Sequence, residues 1–259
     1  MSRTRRPPSA ASAGNGQQSP GASRSGGRRL CLGPPSRHLT INYTDRYRYF
    51  MAGTVPRGQA RQRLLQTAAA LFYARGIHAV GVDAIAHHAG VTKRTLYQHF
   101  PSKDALIAEA LADRSTTWRA WFAAELRRRA HDPAGQLLAM FDVIGQGAAT
   151  ADFRGCRFVN AAAELPDATH PARAVASAHK HAVLDLITAL VAQLDVAEPE
   201  ALARQLKLLL EGAIATALVD PGPQPARDAR TAAATLLDTH TRHRPYRPPH
   251  PTGQEDWPA

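Results

Sequence analysis

From about residue 57 onward the hydrophobic positions recur with a helical period, and nowhere do they alternate as a half-buried strand requires. Leu64, Leu65, Ala68, Leu71 and Phe72 share one face, Arg61, Arg63 and Arg75 lie off it, and Gly76 ends this first helix. Val82, Ile85, Ala86 and Ala89 write a second, short helix that stops at Gly90, where a residue without a Cβ can turn the chain. Thr92 is placed to cap a third helix over residues 93 to 100, Pro101 stops it, and Ser102 caps a fourth. Two short helices joined through Ala89-Gly90-Val91-Thr92 form a helix-turn-helix. Segments 102 to 130, 133 to 149, 157 to 165, 170 to 194, 198 to 219 and 225 to 240 carry the same period between Asp132-Pro133, Pro166, Glu198-Pro199 and Pro221-Gly222-Pro223. The expected fold class is all-α: an N-terminal three-helix domain with the helix-turn-helix, then a larger helical domain.

The third helix has little to bury and much to present. Leu96 and Phe100, at i and i+4, turn inward, which leaves Lys93, Arg94, Thr95, Tyr97, Gln98 and His99 outward. These are cations and donors suited to phosphate oxygens and to base edges in a major groove. Lys103 sits at the start of the fourth helix, where the dipole and free N–H groups attract a phosphate. Taken singly, such residues are ordinary features of a solvated face.

Charge strengthens this reading, because the net of +11 is unevenly spread. Residues 1 to 50 carry +8, 51 to 110 carry +4, 111 to 220 carry −2 and 221 to 259 carry +1. An anionic partner is favoured. The first fifty residues, rich in Ser, Gly, Pro and Arg, show no period before Ile41 and read as a disordered basic arm. Two readings of it stay open: an inert segment preceding Met51, or an arm that grips flanking phosphates. Residues 241 to 259, with repeated Pro and His, read as a disordered tail. The two cysteines, Cys31 and Cys156, make neither a disulfide framework nor a Cys-x-x-Cys metal site, which fits a reduced cytoplasmic compartment. No apolar run is read as approaching the roughly 18 residues of a membrane span, so no membrane partner is expected.

The run Ala84-Ile85-Ala86, then Ala89-Gly90-Val91-Thr92-Lys93-Arg94-Thr95-Leu96-Tyr97-Gln98-His99-Phe100-Pro101-Ser102-Lys103-Asp104-Ala105-Leu106, closely resembles the TetR family of transcriptional regulators over about 50 residues. Gly81 departs from it, since the family commonly has Ser or Thr capping the second helix. The resemblance implies a DNA-binding domain over 51 to 101 and an effector-binding and dimerisation domain over 102 to 240. It further implies a homodimer, probing double-stranded DNA at a palindromic operator and released by a small-molecule effector, hence a repressor. The DNA-binding residues so expected are Thr92, Lys93, Arg94, Thr95, Tyr97, His99 and Lys103, with Tyr97, His99 and Lys103 on phosphates and Lys93 and Arg94 facing bases. An architectural DNA binder without an effector is the alternative reading.

The resemblance also implies an effector pocket in the second domain. Trp118, Trp121, Phe122, Met140, Phe141, Phe153 and Phe158 are its candidate walls, and Cys156, Asn160, Glu164 and His179 its candidate polar contacts. Aromatics at helical spacing equally suit a plain core. Cys156, close to Arg154 and Arg157, suggests a rival trigger in which a thiol of lowered pKa answers oxidants, unless burial makes it inert. Leu202, Leu206, Leu209, Leu210, Ala213, Ile214 and Ala217 stripe one helix, and Ala229, Ala232, Ala233, Leu236 and Leu237 the last. Each stripe fits either an internal core or a pairing of symmetry-related helices.

Catalysis finds no support in the pattern. Gly-x-Ser-x-Gly, P-loop, Gly-x-Gly-x-x-Gly and His-Glu-x-x-His motifs are lacking, so no enzyme, cofactor or metal is expected. His179 and His181, two apart on a helix, read as surface histidines, and Glu164 and Asp167 around Pro166 as capping or turn residues.

Overall fold

The computed structural model describes residues 59–242, and these form nine α-helices with no strand among them. They are α1 (Ala60–Arg75), α2 (Val82–His88), α3 (Lys93–His99), α4 (Lys103–Arg129), α5 (Pro133–Ala148), α6 (Arg157–Glu164), α7 (Pro171–Val191), α8 (Pro199–Val219) and α9 (Gln224–Arg242). The arm over 1 to 50, Cys31 and the tail beyond 242 lie outside the described residues.

Local chemistry explains the boundaries. Thr92 Oγ1 accepts from the Thr95 amide at 3.1 Å, Ser102 Oγ from Ala105 at 3.0 Å and Asp132 Oδ1 from Gly135 at 2.7 Å, each satisfying an orphan donor of a first helical turn. Pro133, Pro171 and Pro199 stand within the first turns of α5, α7 and α8, where a missing N–H costs nothing. Gly90, at φ +64°, lets the chain leave α2 in the left-handed region, and the Val91 amide returns to Ala86 O at 3.0 Å.

Two apolar cores result. In the first, Leu64, Ala68 and Phe72 of α1 meet Ile85, Leu96 and Phe100 of the helix-turn-helix and Leu106, Ile107 and Ala110 of α4. Leu96 and Phe100 are fully buried, and each stabilises the fold by about 1.5–3 kcal/mol. This core does not end with the three N-terminal helices, because Phe158 and Ala161 of α6, Leu165, and Ala172 and Ala176 of α7 complete it. The second core joins the distal half of α4 to α5, α7, α8 and α9 through residues such as Phe122, Phe141, Ile187, Leu206 and Ala233.

Helix α7 corrects one reading of the sequence. It is long and apolar enough, by length and composition, to cross a membrane. In the fold it packs instead against α4, α5, α6 and α8, and its apolar residues serve both cores.

The stripe on α8 is internal. Leu202, Leu206, Leu210, Ala213 and Ala217 are buried within this chain. A different row of α8, Leu208, Gly212, Ala215 and Val219, faces solvent, with Leu208 71 % and Val219 77 % exposed.

Candidate nucleic-acid interface and adjoining cavity

The helix-turn-helix holds α3 by its buried side and leaves the opposite side free. Lys93, Arg94, Tyr97, Gln98 and His99 are exposed, and Thr95 is half-buried beside the Thr92 cap, whose hydroxyl lies 2.9 Å from its own. Lys93 Nζ donates to Asp83 Oδ2 of α2 at 3.0 Å, and that bond with the carboxylate charge raises the Lys93 pKa. An exposed pair of this kind is weak, so a phosphate can compete for the ammonium. Arg61 pairs with Glu109 and lies over the Phe100 ring, 5.3 Å from its centroid, which ties α1 to α4 and to the end of α3.

Lys103 is placed differently from the α3 residues. Half-buried, it donates from Nζ to the Ile77 carbonyl at 2.7 Å, in the turn between α1 and α2. The same peptide is gripped from its other side by Glu164, whose Oε2 accepts from the Ile77 amide at 2.7 Å and the His78 amide at 3.1 Å. Gly76 precedes them at φ +87°, and a Cβ there would stand 3.0 Å from Glu164 Oε2, so this turn needs glycine on both counts.

Between α4, α5, α6, α7 and α8 lies a cleft, open to solvent, with a cavity volume of about 120 Å³. Trp118, Phe153, Cys156, Phe158 and His179 border it, as the sequence suggests. The remaining candidates do not. Phe122, Met140 and Phe141 are fully buried in the second core, Trp121 packs against that core, and Asn160 donates from Nδ2 to Arg154 O at 2.7 Å. Glu164 is committed to the turn at Ile77.

Chemistry inside the cleft is partly polar. The His179 ring stacks on Phe158 at 3.6 Å and meets Trp118 edge-on at 5.3 Å, while its Nδ1 lies 3.0 Å from Ser115 Oγ. His179 is therefore no surface histidine: only 5 % of it is exposed, whereas His181 faces solvent. Burial, followed by the charges of Lys180, Arg119 and Arg157, pushes its pKa down to about 3 and keeps the imidazole neutral. Lys180 pairs with Glu211 beside the Cys156 sulfur. Burial opposes its charge, yet Cys156 and Glu211 outweigh burial and hold its pKa above the ordinary value. Asp152, Arg157, Ile144, Val183, Leu210 and Ile214 are among the other lining residues, and Tyr73 of α1 also reaches the cleft. Sequence spacing gave no notice of the Lys180–Glu211 pair, since its members stand on different helices. Among the described residues no group of three or more His, Cys, Asp or Glu side chains is gathered as a metal ion would need.

The chain's relatives agree with this geometry. The profile described as "Bacterial regulatory proteins, tetR family" matches residues 64–110, from α1 into α4. A TetR-family transcriptional regulator from Streptomyces coelicolor is 37 % identical, covering 71 % of this chain and 97 % of its own, with a TM-score of 0.65. A second structure, from Streptomyces avermitilis, is 35 % identical over 70 % of this chain and 97 % of its own, at a TM-score of 0.62. The HTH-type transcriptional regulator YjdC of Escherichia coli is 25 % identical over 68 % of this chain and 93 % of its own. Over the head alone, the transcriptional activator FasR of Mycolicibacterium smegmatis is 49 % identical, covering 22 % of this chain and 26 % of FasR. The exposed third helix and the all-helical body behind it thus recur together in proteins that regulate transcription, and the chain belongs to the TetR family of transcriptional regulators, with a helix-turn-helix that binds DNA.

Proposed function

We propose that this regulator is a homodimeric repressor that binds a palindromic operator and leaves it when a small molecule enters the cleft. The proposed division is a DNA-reading head over residues 51 to 101 and an effector-binding and dimerisation body over 102 to 240. The observation that carries the reading is the sidedness of α3: Leu96 and Phe100 are fully buried, while Lys93, Arg94, Tyr97 and His99 face outward. Arg94 and Lys93 read base edges, Thr95, Tyr97 and His99 meet phosphates, Thr92 caps the helix, and Lys103 adds a cation at the head's edge.

Pairing of two copies is supported by the outer row of α8. Glycine in an exposed helix interior costs about 1 kcal/mol relative to alanine. Among the described residues nothing lies within 4 Å of where a Gly212 Cβ would stand, so none of them calls for glycine there. Close approach of a second copy along Leu208, Gly212, Ala215 and Val219 accounts for it. The repressor named KstR2 from Mycolicibacterium smegmatis is 45 % identical over 53 residues, and FasR, an activator, 49 % over 57 residues. The head alone therefore leaves the sign of regulation open; release by ligand is what supports repression.

The effector enters the cleft between Trp118, Phe158 and Ile214, where the Lys180–Glu211 pair supplies polar contacts. What supports a ligand there is the lining, largely apolar and aromatic with a few convergent polar groups. The test has two stages. Enrichment from random double-stranded DNA is expected to yield an inverted repeat, and fluorescence anisotropy on that DNA is expected to report release by members of a panel of apolar organic compounds. An Ile214→Trp variant, whose indole fills the cleft, keeps DNA affinity and loses release. Peroxide-driven release that disappears in Cys156→Ser would transfer the trigger to the thiol beside Lys180, and an absence of any release would leave a constitutive binder.

A further inference from the structure

We infer that Glu164 is a positioning residue for DNA reading: by holding the turn between α1 and α2, it fixes the angle of the head and hence the spacing of half-sites that the dimer accepts. The inference rests on the dimeric reading above.

Most of the head's contact with the body is apolar, through Phe72 and Ile77 on one side and Ala110, Leu111, Phe158 and Leu165 on the other. Apolar contact is non-directional, so two such faces can rotate slightly against each other at small cost. Hydrogen bonds are directional, and they decide the angle. Helix α4 supplies some along its length, where Glu109 pairs with Arg61 and Asp113 accepts from Gln62 Nε2 at 3.2 Å, and the segment of α6 supplies those that fix the end of α1 and the turn after it. At its start, the Arg154 amide donates to Tyr73 Oη at 2.7 Å, Tyr73 Oη donates to Gly155 O at 3.1 Å, and Arg157 lies over the Tyr73 ring at 4.3 Å. At its end, Glu164 accepts from the Ile77 and His78 amides, and the His78 ring lies 2.6 Å from the Glu164 carbonyl. The last turn of α1 and the turn that follows it are thus pinned from the two ends of α6, an eight-residue helix about 12 Å long.

Stability of α1 alone does not ask for this arrangement. A carboxylate at the C-terminal end of a helix stands against the sign of the helix dipole, where a cation would be preferred. Glu164 is tolerated there because it bonds two peptide N–H groups of the turn while Lys103 bonds the intervening carbonyl. What the group secures is the path of the chain into α2, on which α3 is mounted. A tilt of the head carries α3 along the groove, where a shift of about 3.4 Å is one base-pair step. Freed from Glu164, the two heads of a dimer would accept half-sites over a wider range of separations without changing the bases that each head reads.

The experiment is enrichment from random double-stranded DNA by the full chain and by Glu164→Ala, Glu164→Gln, Glu164→Asp and Leu137→Ala, with sequencing of the bound pool. The native chain selects one spacing. Glu164→Ala selects the same half-site sequence with the spacing spread by at least one base pair on either side, and Glu164→Gln, whose amide oxygen still accepts both N–H groups, restores the single spacing. Glu164→Asp, one methylene shorter, shifts or broadens it. Leu137→Ala, a cavity in the second core, lowers the yield of bound DNA and keeps the spacing, which separates positioning from general destabilisation. A single unshifted spacing in Glu164→Ala, or in Glu164→Asp should the alanine variant fail to fold, overturns the inference alone. A native chain that enriches no paired half-sites overturns the dimeric reading and this inference with it.

Discussion

Arg94 is the residue on which sequence-specific binding turns in this account. Exposed on α3, and among the described residues not held by a carboxylate as Asp83 holds Lys93, it has the fork geometry that matches a guanine edge. Arg94→Ala should relax preference at particular operator positions by about 1–3 kcal/mol, while a phosphate contact such as Tyr97→Phe weakens all sequences alike. Competition binding against single-base operator variants distinguishes them; unchanged relative affinities for Arg94→Ala would remove it from base reading. Gly81 makes a second residue-scale case. It caps α2 with no side-chain bond, in an extended conformation that any residue adopts, and with open space where a Cβ would go. Gly81→Ser should therefore stabilise the chain by about 0.5–1 kcal/mol, read as a higher midpoint in urea. His179 gives a third. The unfolded chain takes up a proton near 6.5 and the folded chain only near 3, so stability falls as pH drops through 6.5 and continues to fall toward 3. Between pH 7 and pH 5 the loss is about 2 kcal/mol, and His179→Gln, which cannot be protonated, should lack that share. Equal pH dependence in the variant would contradict the burial of a neutral imidazole.

At the scale of elements, helices and their ends were largely legible, because each is governed by neighbours in sequence. Thr92 and Ser102 act as the caps their side chains suggest, Asp132, read only as a break between helices, caps α5 as well, and Gly76 and Gly90 turn the chain where the period stops. Partners across the fold were less legible, since a period of 3.6 residues tells which face is apolar and not which helix covers it. Phe141 shows the difference. It has the same pattern as a pocket aromatic, yet it is fully buried in the second core, so Phe141→Ala should cost about 3–5 kcal/mol of stability. Ligand release in the surviving folded fraction should be unchanged, which thermal melts and anisotropy together would establish. Glu164 was legible as a polar residue near a helix end, but its true partners, the amides of Ile77 and His78, lie 86 to 87 positions away in sequence.

For the whole molecule, two cores meeting along α4 and α7 make a head and a body that share apolar contact near α6. Helix α6 carries cleft-lining Arg157 and Phe158 at its start and Glu164 at its end, so a ligand that shifts the first must act on the last. Such a shift requires unequal affinity of the ligand for the two arrangements of the dimer. In the dimer proposed above, pairing lies on the outer row of α8. Gly212→Arg should leave each chain folded, since the site is open within its own chain, while abolishing the dimer as read by light scattering. A dimer that persists would move the interface elsewhere. The most direct test of the account as a whole is a hydroxyl-radical footprint of the full chain on its enriched DNA. Two symmetric sets of protections, centred about one helical turn (roughly 34 Å) apart or slightly more and both lost in Gly212→Arg at the same concentration, are the predicted result; a single continuous protection without two-fold symmetry would contradict it.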